Sequence, residues 1–100
     1  MSESELDRLR ADIERIDRTL IGLIEERVRA AYRAAAAKRS AGLPTLDPGQ
    51  EAAVVRRAAA LAREGGLPEE AVRDLFWHLV GLTRRAEQDA SATAAEQRQL

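Results

Sequence analysis

The apolar residues at the start of the chain recur at helical spacing. Leu6, Leu9, Ile13, Ile16, Leu20 and Leu23 alternate steps of three and four, the stripe of a helix that lies against another helix. From about Ser4 to about Ser40 only Gly22 interrupts a run otherwise free of Gly and Pro. At roughly 1.5 Å per residue this helix would be about 55 Å long. A compact domain of this size cannot enclose it, so the pattern predicts a partner, and a second copy of the chain is the simplest one.

Gly42-Leu43-Pro44 predicts the end of the first helix, and Asp47-Pro48-Gly49-Gln50 the start of the second. Asp47 suits the N-cap, Pro48 the first helical position, and Gln50 the third position of a capping box. Val54, Val55, Ala58, Leu61 and Ala62 form the next stripe to about Arg63, and Gly65-Gly66 halts it. A third helix is expected from near Pro68, with Glu69 and Glu70 favourable in its first turn. Its stripe reads Val72, Leu75, Phe76, Leu79, Leu82 and Ala86. Beyond about Ala90 the stripe is lost, and residues 91–100 are expected to fray. No alternating run rich in β-branched residues predicts a strand. The expected fold is therefore all-α: a three-helix chain with a long N-terminal helix, its residues 1–90 forming one domain.

Composition narrows the chemistry. The 100 residues are 45% apolar and 33% charged, a globular rather than a disordered balance. Sixteen basic against 17 acidic residues leave a net charge of −1, which predicts no general attraction to nucleic acid or to a membrane surface. Any anion must be held by a few placed cations. With no Cys and one His, disulfides, thiolate chemistry and metal sites are not expected. His78, beside Trp77, falls off the main stripe and is assigned no chemistry. The acidic N-terminus lacks the apolar run of a signal peptide, so the expected location is the cytoplasm.

The informative positions are those where a polar residue stands on an apolar stripe. Continuing the first heptad past Leu20 and Leu23 brings Arg27 to a core position, which is costly unless the charge is paired or faces a wet pocket. Lys38 follows 11 residues later, within about 20° of the same face and about 16 Å further along, so the two can line one wall of a cavity. Arg10 lies about 26 Å before Arg27 and about 100° round the helix. From one straight helix it would serve a second site, which in an antiparallel dimer is the partner's. On the third helix Thr83 lies on the stripe of Phe76 and Leu79, with Glu87 one turn on. On the second, Glu51 shares a face with Val54, Val55 and Ala58. These residues suit a small dianion carrying hydroxyl or ether groups, since Arg grips carboxylates through two parallel hydrogen bonds. Plainer roles exist for several of them: capping for Asp47 and Gln50, helix-dipole compensation for Lys38 and Glu51, and a surface pair for Arg10 with Glu14.

The segments LDRLRADIERIDRTLIGLIEERV, AAKRSAGLPTLDPGQE and GLPEEAVRDLFWHLVGLTRRAEQ together resemble the all-helical chorismate mutases, the AroQ class, from about Leu6 to Gln88. The resemblance implies an intertwined homodimer of three-helix chains with two equivalent sites for chorismate, which it converts to prephenate for aromatic amino-acid biosynthesis. It implies that Arg10 acts from the partner subunit and that Arg27 binds a substrate carboxylate. Lys38 would contact a carboxylate and the ether oxygen, Asp47 and Glu51 the ring-hydroxyl end, and Thr83, in place of a frequent Ser, a carboxylate. No cofactor is implied, because a pericyclic Claisen rearrangement needs neither a nucleophile nor a covalent intermediate.

Two positions depart from the family pattern. Gln50 stands where many members carry Arg, removing one cation from the carboxylate end. Glu87 stands where bacterial members usually carry a Gln that donates to the ether oxygen. A carboxylate cannot donate and a carboxylic acid can, so activity is expected to rise in acid. Rival expectations share the scaffold: an aminodeoxychorismate mutase, an isochorismate-pyruvate lyase, or a non-catalytic regulatory module. A dimeric helical adaptor would explain the heptads but not the inward charges. An activating partner enzyme is a further expectation.

Overall fold

The computed structural model describes the backbone from Glu3 to Gln99; the side chains of residues 3, 90–95 and 98–99 lie outside the described residues. Helix α1 runs Glu3–Ser40, α2 Pro48–Glu64 and α3 Glu69–Gln99. Among the described residues there is no strand. The chain divides into two units, one ending at Ala30 and one starting at Ala31.

In the first unit the heptad residues form an exposed apolar stripe: Leu6, Leu9, Ile13, Ile16, Leu20 and Leu23 all face water, Ile13 at 58%. Local pairs support the helix, with Glu14 accepting from Arg18 at 2.7 Å one turn on.

In the second unit the helix ends are built from the residues that the sequence marks. The Asp47 carboxylate accepts the Gln50 N–H at 3.1 Å, and Pro48 opens α2 behind it. Both α1 and α2 stop in the same way. Leu43 N–H reaches back to the Lys38 carbonyl at 2.8 Å, and Leu67 N–H to the Ala62 carbonyl at 2.8 Å. This closure needs a left-handed residue in between, supplied by Gly42 (φ +71°) and Gly66 (φ +74°). Arg63 and Glu69 then pair across the turn between α2 and α3.

Helix α2 packs on α3. The buried face of α2 is Val55, Ala58, Ala59 and Ala62, at the i, i+3, i+4, i+7 spacing of a packing face. Small Ala side chains let the helix axes approach closely. From α3, Val80 and Thr83 are buried between them. The last turns of α1 join this unit: Ala35 is buried, and the Tyr32 hydroxyl donates to the Ala86 carbonyl of α3 at 2.8 Å.

Two expected stripes are corrected here. Leu61 of α2 and Leu75 and Leu82 of α3 are exposed rather than core residues. The apolar arc on each helix is wider than one packing face, and these leucines lie roughly a quarter turn from the Ala-rich seam. The α3 backbone continues to Gln99; the expected fraying of residues 91–100 falls largely on side chains outside the described residues.

Candidate active site

Lys38 sits in the last turn of α1, and its Nζ donates to the Thr45 carbonyl at 3.5 Å. That contact is at the long limit of a hydrogen bond. It directs the ammonium over the loop leading to Asp47. Asp47 itself is exposed and is engaged as the α2 cap.

Glu51, one turn into α2, meets a residue that the sequence reading did not single out. Arg84 of α3 donates from Nε to Glu51 Oε2 at 2.8 Å, and its Nη2 donates to Oε1. Both carboxylate oxygens are thus held by one planar fork. The Glu51 side chain is 19% exposed and that of Arg84 47%, so the carboxylate is withdrawn from water while the cation keeps one side wet. The Glu51 hydrogen bond raises the Arg84 pKa above the ordinary guanidinium value against partial desolvation, with the Glu51 and Glu87 charges adding to the rise. Glu87 lies three residues on from Arg84, hence on an adjoining face of α3, and is half-buried.

Thr83 is 8% exposed. Its Oγ1 donates to the Leu79 carbonyl of its own helix at 2.9 Å, the usual way a buried Thr satisfies its hydroxyl within a helix. To donate to a ligand carboxylate it must turn away from Leu79.

The second unit therefore carries Lys38, Asp47, Glu51, Thr83 and Glu87, and joins Glu51 to the Thr83–Glu87 turn through Arg84. Arg10, which is exposed, and Arg27, which is half-buried, belong to the first unit. Arg84 escaped the sequence reading because it lies off the α3 stripe and 33 residues from its partner. The available signal was Glu51 itself, a carboxylate on an apolar face of α2 that calls for a cation. Among the described residues no three His, Cys, Asp or Glu side chains are grouped to hold a metal ion, and no helix is long and apolar enough to cross a membrane.

Lys38, the Glu51–Arg84 pair, Thr83 and Glu87 give the second unit cations, carboxylates and a hydroxyl, groups able to bind a small polar anion by charge and hydrogen bonding. The family described as chorismate mutase type II matches residues 9–88, and the chain belongs to that family. A 4-amino-4-deoxychorismate mutase from Streptomyces venezuelae is 35% identical over 74 residues, which cover 74% of this chain and 72% of that protein. No solved structure gives a significant match.

Proposed function

We propose that the protein is a chorismate mutase that rearranges chorismate to prephenate in aromatic amino-acid biosynthesis, working as a homodimer. The observation that carries this reading is the family match over residues 9–88, which spans every candidate ligand from Arg10 to Glu87.

In this reading Arg27 and Lys38 hold the two carboxylates of the substrate in its compact diaxial conformer, and Arg10 of the partner subunit completes the carboxylate end. Thr83 adds a hydroxyl there, and Asp47 and Glu51 meet the ring substituent. As the ether C–O bond breaks, negative charge develops on its oxygen, where Lys38 donates, with Glu87 standing in the place of an amide donor. Holding the reactive conformer removes an entropic barrier, and fixed donors at the developing charge lower the electrostatic one. The exposed stripe from Leu6 to Leu23 supports a second copy of the chain as the partner, since stable monomers rarely leave so long an apolar stripe in water.

A second reading is favoured by the Streptomyces venezuelae relative: the same rearrangement on 4-amino-4-deoxychorismate, whose ring carries an amine in place of the hydroxyl. The test is to incubate purified protein with each substrate, following loss of chorismate absorbance and identifying the product. Prephenate formed faster than its amino counterpart supports the first reading, and the reverse order supports the second. Lys38→Ala is expected to lower kcat/KM on the true substrate by about 10²–10³-fold, as loss of one preorganised donor at a developing oxyanion does. Turnover of neither substrate by the folded protein, or an undiminished Lys38→Ala variant, would sink both.

A further inference from the structure

We infer that Arg84 determines the substrate class of this site, its paired contact with Glu51 selecting an uncharged ring hydroxyl over a cationic ring amine. The inference rests on the reading above, in which Glu51 meets the ring substituent.

Glu51 alone would be a partly buried carboxylate beside the ligand. Such a group attracts an ammonium strongly, because charge and hydrogen bond act together. An allylic amine on the ring is such an ammonium at neutral pH. Arg84 changes that balance by holding both Glu51 oxygens in one fork, through Nε at 2.8 Å and through Nη2. The pair is close to neutral, and an incoming ammonium would meet the guanidinium charge within a few ångströms. A hydroxyl has no such conflict. It donates to a remaining lone pair of the carboxylate, whose orientation the fork has already fixed. Selection thus works by repulsion of the competitor as well as by attraction of the substrate.

Two further observations support the assignment. Arg84 is held firmly in its charged form by Glu51 and, more weakly, by Glu87, so the device operates at any physiological pH. It is also anchored from α3, the helix that carries Thr83 and Glu87, and its fork on Glu51 holds the cation beside that carboxylate. In the proposed reading Glu87 faces the ether oxygen, which both substrates share. An effect of Arg84 exerted through Glu87 therefore cancels in the ratio of the two substrates.

The measurement is the ratio of kcat/KM for chorismate to that for 4-amino-4-deoxychorismate, in wild type, Arg84→Met, Arg84→Lys and Glu51→Gln. Wild type is expected to favour the hydroxyl substrate. Arg84→Met should move the ratio towards the amine by about tenfold, the scale of one close charge contact at a partly exposed site. Arg84→Lys keeps the charge and should stay near wild type. Glu51→Gln leaves Arg84 uncompensated and should move the ratio the other way, so it tests the idea even if Arg84→Met fails to fold. A ratio unmoved in a folded Arg84→Met protein overturns the inference alone, as does an Arg84→Lys variant that behaves like Arg84→Met. A wild type that prefers the amine overturns it too. A wild type that turns over neither substrate removes both the underlying reading and this inference.

Discussion

In the proposed reading Glu87 stands where a donor is wanted, and a carboxylate offers only acceptors. Glu87→Gln supplies a donor there and should raise kcat/KM on chorismate by about tenfold, the scale of one hydrogen bond to a charged group. Initial rates of both proteins at neutral pH check the sign; an unchanged or lowered rate would remove Glu87 from the mechanism. Thr83 poses a smaller question of the same kind. Its proton rests on the Leu79 carbonyl, and the hydroxyl must turn to serve a carboxylate. Thr83→Val keeps the shape and removes the hydroxyl, and it should raise KM by about tenfold, as loss of one hydrogen bond to a charged group does. Melting temperature should change little, because that bond lies within a helix.

At the scale of elements, what holds the second unit together is the Ala-rich face of α2 against α3. Val55 is its largest fully buried side chain, at 2% exposure. Small neighbours leave little that can move to fill a gap, so Val55→Ala should cost about 2 kcal/mol. In a domain of this size that corresponds to roughly 10 °C in melting temperature, measurable by circular dichroism. Helix ends were legible in the sequence because each depends on a few adjacent residues. The Asp47-Pro48-Gly49-Gln50 cap and the glycine stops at Gly42 and Gly66 stand where composition marks them. The packing faces were less legible. Leu61, Leu75 and Leu82 have the hydrophobicity of core residues, yet the seam took Ala58, Ala59 and Ala62 in preference. Close approach of two helix axes rewards small side chains, and a hydropathy pattern alone does not weigh that.

For the whole molecule the open apolar stripe of α1 points to assembly. A homodimer should show twice the chain mass by light scattering and a melting temperature that rises with protein concentration. The role of Arg10 can be separated from simple dimer formation. Arg10→Ala and Lys38→Ala proteins should each be nearly inactive. Mixed after unfolding and refolding together, they should recover about a quarter of wild-type activity if Arg10 acts across the interface. Half the dimers would then be mixed, each with one of its two sites intact. No recovery would mean that Arg10 acts on its own chain, or on neither site.

The sequence by itself determined the helical class and the approximate extent of each helix, and it nominated the candidate ligands that the proposed function uses. These follow from local spacing, from caps, and from charges placed on apolar stripes, all of which are visible within a few turns of chain. Only the tertiary structure decided that Glu51 is met by Arg84 and that Thr83 is buried at the α2–α3 seam. The partners Glu51 and Arg84 stand 33 residues apart on separate helices. Which residues of two helices face each other is set by how their surfaces interlock, and no periodicity along one chain segment contains that information.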